Sequence, residues 1–376
     1  MVRNLHLMYD EKVISRTIHY FDLALPDCNK YVILVKKQGA LTNHVKIKAP
    51  NVHYLVYNSR TFWKIVGNVE QYNNIIFHYL GNEMVDFTLK LQKTDNLVWI
   101  VWGGDLYNNI LAYRGYELYS DPNIVRYGRL ARFFPYLKKI KDWYLLKKRE
   151  RAIIRIPYIC IEKDTFNLLL AYYPQFYHLK HRDFFYYPVD DMVSQDLINS
   201  VSLGENIFVG NSASYTNNHL SVFRKLEKYD LGNKKVYVPL SYGNAQSIVM
   251  EQGGKLLKRN FCPLTKFLSL QEYNKLMLSA GTFIYGNYRS EAFGNIIVAL
   301  YIGAVVVLDS RNPLLKELKE KGFVLFSMDD LDSIIGYQLS CDEKIKNRTL
   351  INRLYSKARL IEVIRESFGR SHCHKK

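Results

Sequence analysis

Thr282-Phe-Ile-Tyr-Gly-Asn-Tyr-Arg-Ser-Glu-Ala-Phe-Gly-Asn-Ile-Ile-Val-Ala-Leu-Tyr-Ile-Gly-Ala-Val-Val-Val-Leu308 is the stretch whose reading decides the fold. A short apolar run, Thr282–Tyr285, leads into a polar loop. A helical run, Ala292–Ile302, follows and closes at Gly303, and Ala304–Leu308 is again apolar. Strand, helix and strand in such close order form a crossover unit, so the two strands run parallel. Working downstream, Asn312-Pro313 starts another helix with proline at its first position and Gly322 past its end, before a strand at Phe323–Phe326. Upstream, the strand Asn206–Val209 turns through Gly210-Asn211-Ser212 into a helix at His219–Tyr229. A strand at Lys235–Leu240 follows, and Ser269-Leu-Gln-Glu272 is a capping box opening a helix that Gly281 ends.

The first half alternates in the same way. Its expected strands are Leu5–Tyr9, Tyr31–Val35, Val52–Tyr57, Ile75–Tyr79, Leu97–Trp102 and Ile153–Ile161, with a helix over Ser15–Leu25 between the first two. Several of these runs are continuously apolar, as strands covered on both faces are. The chain of 376 residues therefore reads as two doubly wound α/β domains facing a central cleft. They are expected at 1–195 and 204–344, joined near Tyr187–Leu203, with a last helix, Ile345–Ser367, in a 345–376 tail that packs on either domain, the N-terminal one included. Ligands in this architecture bind outside the carboxyl ends of the strands.

Composition narrows the function. Apolar residues at 48% with 30 Tyr and 19 Phe exclude a disordered chain. The longest apolar run, Ile296–Leu308, is too short to span a bilayer and is broken by Gly303. The start at Met1 has no long apolar segment before Asp10 and Glu11, so a secretory leader is not expected and a cytoplasmic setting is. Five scattered cysteines without a CxxC pair signal neither a disulfide framework nor a zinc ribbon. The net charge of +17 calls for an anionic partner. Between Arg126 and Arg155 eleven bases stand against Asp142 and Glu150, interleaved with Phe133, Phe134, Trp143 and Tyr144, and Pro135 is placed to start a helix. This amphipathic, aromatic and basic stretch, with Arg132, Lys138, Lys139, Trp143, Lys147 and Lys148 as its patch, suits an anionic membrane face. A solvated helix face is the plainer alternative.

Three loops at strand ends carry candidate chemistry. Gly210, Asn211 and Ser212 lie between a strand and a helix, where backbone N–H groups hold phosphate. In Tyr285–Asn295, Arg289 can neutralise a diphosphate and Glu291 can accept from ribose hydroxyls, while Gly294-Asn295 allows close backbone approach. A surface pair for Arg289–Glu291 and a packing role for Gly294 are the bland readings. In the turn Pro239–Gly243, Ser241 can donate to phosphate and Tyr242 can stack on a base. In the first half, His78 and Asp105 each end an apolar strand and are expected on the cleft rim, where either would accept a proton from an attacking hydroxyl; a satisfied structural histidine is the commoner reading of a lone His on a strand. Asp10, Arg16 and Thr17 follow the first strand toward the same rim. His181-Arg-Asp183, Asp330-Leu-Asp332 and His372-Cys373-His374 are fragments without the context that a kinase loop or a metal site requires.

Set together, Phe77-His78, Trp99-Ile-Val-Trp102-Gly-Gly-Asp105-Leu-Tyr107, Val209-Gly-Asn-Ser212, Val238-Pro239-Leu-Ser-Tyr242, Arg289 with Gly294, and Gly303 through Leu308 to Asn312-Pro313 resemble one known group, and Arg16-Thr17 and Tyr187-Pro188 correspond as well. The chain resembles the TDP-N-acetylfucosamine:lipid II N-acetylfucosaminyltransferases, the 4-alpha-L-fucosyltransferase family (glycosyltransferase family 56), in order and spacing over nearly its whole length. The resemblance implies a GT-B glycosyltransferase that works without a metal or other cofactor. Its C-terminal domain would bind the nucleotide diphosphate sugar through Gly210, Asn211, Ser212, Tyr242, Arg289, Gly294 and Asn295. Its N-terminal domain, with His78 and Asp105, would face a polyprenyl-diphosphate-linked saccharide at the inner face of the bacterial cytoplasmic membrane. A basic nucleic-acid-binding protein and a catalytically idle nucleotide-sugar-binding subunit are the alternatives; with the enzyme reading no nucleic acid partner is expected.

Overall fold

A computed structural model describes residues 3–121, 135–193 and 203–369, with the backbone alone for 135–140. The expected basic positions from Arg126 to Phe134, Arg132 among them, the linker serines Ser194, Ser200 and Ser202, and the trio His372–His374 lie outside the described residues. Contacts divide the chain into two compact units. One comprises Met1–Arg114, Tyr136–Tyr186 and Ala358–Lys376, the other Gly115–Pro135 and Tyr187–Lys357.

The first unit is built on a seven-stranded sheet in the order β3-β2-β1-β4-β5-β6-β7, every pairing parallel. The strands are β1 (Asn4–Tyr9), β2 (Asn29–Leu34), β3 (Val52–Leu55), β4 (Asn74–His78), β5 (Leu97–Ile100), β6 (Tyr158–Cys160) and β7 (Lys180–Arg182). β4 and β5 are buried at every residue, which explains their unbroken apolar sequence. The helix Ile14–Ala24 buries Ile14, Ile18, Phe21 and Ala24 against the sheet, in one core with Leu360, Ile364 and Phe368 of the C-terminal helix Lys357–Phe368. The expected single helix Ile345–Ser367 is two helices, Cys341–Tyr355 and Lys357–Phe368, parted where Ser356 is extended. The first belongs to the second unit and all but the first residue of the other to the first unit.

The second unit holds β8 (Asn206–Val209), β9 (Val236–Pro239), β10 (Phe261–Leu264), β11 (Ala280–Tyr285), β12 (Val305–Leu308) and β13 (Phe326–Ser327) in the order β10-β9-β8-β11-β12-β13, again all parallel. The crossover from β11 through the helix Phe293–Ile302 to β12 is the one read from the sequence, with Gly303 capping the helix in the left-handed conformation. The capping box at Ser269 forms, although its helix stops at Leu278 before reaching Gly281.

Other differences are local. Ile153–Ile161 is not one strand: the helix Pro135–Ile154 runs on to Ile154, and only Tyr158–Cys160 pairs. Its apolar residues pack the end of a helix, where strand and helix cannot be told apart by a short apolar run. The last strand begins at Phe326, not Phe323. β7 and β10 carry little sequence signal because Lys180-His-Arg182 and Phe261-Cys-Pro-Leu264 are short edge strands with little alternation. Among the described residues no helix is long and apolar enough to cross a membrane.

Phe368 is fully buried and meets Phe21 at 5.1 Å and Phe184 at 6.0 Å between ring centroids. Phe368→Ala is expected to destabilise the first unit by about 3–5 kcal/mol in urea unfolding; a loss under about 1 kcal/mol would show that the C-terminal helix is not part of its core.

Candidate active site

In the second unit the strand order reverses between β8 and β11, so the loops after these two strands diverge and leave a crevice at their carboxyl ends. The loop after β8 is not the open phosphate cradle that its sequence suggests. Gly210 N–H donates to the Ile284 carbonyl at 2.9 Å, Asn211 N–H to Asn217 Oδ1 at 3.0 Å, Ala213 N–H to the Tyr242 carbonyl at 2.7 Å and Ser214 N–H to Ser212 Oγ at 3.3 Å. A short helical turn, Tyr215–Asn217, intervenes before the helix His219–Leu226. Glycine is required at 210: its φ is +69°, and a Cβ there would lie 2.7 Å from Asn217 Oδ1 and 2.8 Å from His219 Nε2. Gly243, at φ +114°, brings the loop after β9 within 2.3 Å, measured from such a Cβ, of the Ala213 backbone. The Ser212 and Tyr242 loops are thereby stitched into one rim.

Arg289 and Glu291 face this rim from the loop after β11. Arg289 Nε–H donates to Glu291 Oε2 at 2.8 Å, with both side chains 15% exposed. The same oxygen accepts from Thr216 Oγ1 at 2.7 Å and Asn287 Nδ2 at 3.0 Å. Burial pushes the Glu291 carboxyl up, but the Arg289 charge and the bonds from Arg289, Thr216 and Asn287 outweigh it and hold it below its ordinary value. Glu291 therefore acts first as the clamp that orients Arg289. On the loops after β8 and β11, Asn211 Oδ1, His219 Nε2 and Asn287 Oδ1 are buried polar atoms without a hydrogen-bond partner among the described residues, as is Tyr285 Oη at the end of β11. Such atoms are costly unless something meets them. Tyr242 is 48% exposed, stacks on Phe267 with rings 3° from parallel, and places its hydroxyl beside Ser212 and Asn211. Ser241 is half-buried next to it. Gly294 lies against Tyr187 and Met192, and Asn295 Nδ2 donates to Tyr273 Oη at 3.1 Å, so both are engaged in packing at the start of their helix. Sequence reading missed Thr216, Asn217, Asn218, His219 and Asn287. The one available signal was the polar run Thr216–His219 at a helix start.

In the first unit the expected rim residues are not on a rim. Asp105 is fully buried: Oδ2 accepts from Leu80 N–H at 2.9 Å and Trp99 Nε1–H at 2.7 Å, and Oδ1 from Trp102 N–H at 3.0 Å. Burial raises its pKa against the opposing pull of these donors. The carboxylate fixes the Gly103-Gly104 turn and reaches no solvent. His78 is also fully buried, between His6 Nδ1 at 3.1 Å and Tyr186 Oη at 2.9 Å. Asp10 accepts from the backbone of Asn43, His44 and Val45, and Thr17 Oγ1 donates to the Val13 carbonyl at 2.9 Å, so these two serve local structure. Arg16 is half-buried on the first helix.

On the helix Pro135–Ile154, Trp143 is 57% and Tyr144 60% exposed, whereas Lys147 pairs with Glu150 at 2.7 Å and Lys148 pairs with Asp86. The side chains of Lys138 and Lys139 are outside the described residues. Among the described residues no cluster of His, Cys, Asp or Glu has the arrangement of a metal site.

Two parallel α/β units with their loops collected at the strand carboxyl ends are the GT-B glycosyltransferase architecture, and solved structures share it. The chain is similar to Anabaena HepE, solved with UDP and glucose, at 11% identity and TM-score 0.63, covering 98% of this chain and 99% of that one. It is similar to an alpha,alpha-trehalose-phosphate synthase (UDP-forming) from Burkholderia vietnamiensis at 9% identity and TM-score 0.60, over 98% of each chain. A glycosyltransferase from Rickettsia africae matches at 12% identity and TM-score 0.58, covering 98% of this chain and 100% of that one. Residues 164–344 match the model of the family described as 4-alpha-L-fucosyltransferase glycosyl transferase group 56. The family described there is the one that the sequence motifs resemble. The match takes in the second unit's site loops, while the segments around His78 and Asp105 precede it.

Three buried histidines stay neutral in the fold. Burial draws His6 down to about 3, with the Asn29 bond opposing it, His219 to about 4, with Glu291 opposing it, and His78 well below its usual value. The unfolded chain binds protons below its own value of about 6.5 and the folded one does not, so stability falls as pH drops from there. The expected slope is about 1.4 kcal/mol per pH unit for each histidine, until the folded value is reached. Urea unfolding at pH 7 and pH 5 reads it, and His219→Gln should lower the slope by about one proton; an unchanged slope would place His219 in solvent contact.

Proposed function

We propose that the protein transfers a sugar from a nucleotide diphosphate donor, held in the crevice between β8 and β11, to a polyprenyl-diphosphate-linked saccharide. The observation that carries this reading is the clamped Arg289 together with buried polar atoms of Asn211, His219 and Asn287, on the loops after β8 and β11, that lack a partner among the described residues. The family match and the UDP named with the Anabaena structure support a nucleotide-sugar donor. The sequence resemblance favours a fucose-type amino sugar such as N-acetylfucosamine, carried on TDP. Chemistry at such a site consists mainly of stabilising the diphosphate as the glycosidic bond to it breaks. Arg289, already oriented by Glu291, offers its guanidinium charge. The N-terminus of the helix Phe293–Ile302, entered through Ala292 in the left-handed conformation and without a side-chain cap, would add its N–H dipoles. These supply positive charge to the leaving group without a metal ion. Tyr242 offers a ring face for the base. Glu291, committed to Arg289, is assigned to positioning, and His78 and Asp105 are withdrawn from the proton-accepting role by their burial.

Arg289→Ala is expected to lower turnover about 10²–10³-fold with circular dichroism unchanged; near-normal turnover would remove Arg289 from the site. In the intact protein TDP or UDP should raise the melting temperature, and a flat response to every nucleoside diphosphate would defeat the reading.

The acceptor's lipid end calls for attachment to the inner face of the cytoplasmic membrane. The helix Pro135–Ile154 supports it with exposed Trp143 and Tyr144 beside exposed Lys141. Co-sedimentation with anionic vesicles should exceed that with zwitterionic ones, and the double variant Trp143→Ala/Tyr144→Ala should reduce it several-fold. Equal recovery with both vesicle types would detach this helix from the membrane.

A further inference from the structure

The strand order of the first unit also reverses once, between β1 and β4, and the carboxyl ends there carry an unusual set of side chains. Tyr9, Tyr79, Trp102 and Tyr186 are all half-buried. They meet edge to face in sequence: Tyr9 and Tyr79 at 5.9 Å, Tyr79 and Trp102 at 6.1 Å, Trp102 and Tyr186 at 5.8 Å between centroids. Tyr79, immediately after β4, has φ +81°, a strained conformation for a bulky residue, and such strain gathers at functional sites.

The hydroxyl at the end of this row has a fixed polarity. Asn29 Nδ2 donates to the Phe21 and Leu25 carbonyls at 3.1 and 2.9 Å, so its Oδ1 faces the other way, where it accepts from Asn4 Nδ2 at 3.0 Å. His6 Nε2, 3.3 Å from that oxygen, must then carry the proton, which leaves Nδ1 as an acceptor. His78 Nε2 lies 3.1 Å from His6 Nδ1 and must donate to it, leaving His78 Nδ1 as an acceptor in turn. Tyr186 Oη, 2.9 Å from His78 Nδ1, therefore donates its only hydrogen inward, and it accepts from Trp102 Nε1–H at 2.5 Å. Toward any ligand the Tyr186 oxygen can only accept.

We propose that this aromatic row is a saccharide-binding surface for the acceptor, with ring faces against the sugar's C–H faces and Tyr186 Oη receiving the hydrogen of a sugar hydroxyl. An acceptor-only oxygen set among rings selects a hydroxyl donor and turns away a carboxylate or phosphate. The inference rests on the glycosyltransferase reading, and it supplies for the first unit the site that His78 and Asp105 do not themselves offer. His78 and His6 are positioning residues that act through Tyr186.

Saturation-transfer NMR on the full chain with chitobiose, maltose and lactose tests it. At least one disaccharide should bind, and Tyr186→Phe, which keeps the ring and removes the oxygen, should weaken it about tenfold. Trp102→Leu, read below its own melting temperature, should weaken the same sugar and keeps the test open if Tyr186→Phe does not fold. Neither substitution should alter the melting shift given by TDP or UDP. A nucleotide shift without binding of any disaccharide, or with sugar affinity unchanged in both variants, overturns this inference alone. Absence of both the nucleotide shift and sugar binding overturns the reading beneath it.

Discussion

Parallel pairing is the constraint from which the rest of this molecule follows. A parallel strand cannot return through a tight hairpin; each must be reached by a crossover that starts at one edge of the sheet and ends at the other. In both units every strand pairing is parallel, so all loops that leave a strand are gathered along its carboxyl edge. Each sheet also reverses its winding order once, β1 against β4 and β8 against β11, and there two adjacent loops turn apart. The sites argued for above sit at those two places, although the loops that form them share no sequence.

Within the first unit, a second constraint runs along one face of the sheet. Asn4, Asn29 and Asn74 open three neighbouring strands in register, and their amides link up, with Asn74 also donating to the Phe368 carbonyl and accepting from Arg182. His6 and His78 continue the chain toward the carboxyl edge. Burial makes a charge on either histidine prohibitive, so the chain consists of neutral groups whose donors and acceptors must all agree in direction. That agreement ties the C-terminal helix, at one end, to the orientation of a hydroxyl at the other.

The second unit solves a different electrostatic problem. Arg289, proposed above to meet an anionic ligand, has to be held in one orientation by the fold itself. Glu291 does this at the cost of burying a carboxylate, which Thr216 and Asn287 offset with hydrogen bonds to the same oxygen. The buried atoms of Asn211, His219 and Asn287 on the same loops, without a partner among the described residues, are the complement of that arrangement. They are polar groups that the fold brings together and does not satisfy itself.

The local pattern of the chain was enough for the parallel α/β class, most of the strands, the crossover from β11 to β12, the capping box at Ser269 and the position of Arg289 and Glu291 after β11. These depend on residue spacing over short distances, where apolar runs, glycines and caps act directly on the backbone. Edge strands such as β7 and β10 escaped because few of their residues need to be buried. Which polar groups face a crevice was decided only by the tertiary structure. His78 and Asp105 end apolar strands just as rim residues do, yet His6 and Tyr186 enclose the first and Trp99 and Leu80 the second. Those partners come from other strands and loops, and for Tyr186 from more than a hundred positions along the chain. No periodicity records a hydrogen bond made across a sheet, because the geometry that permits it exists only once the strands have paired.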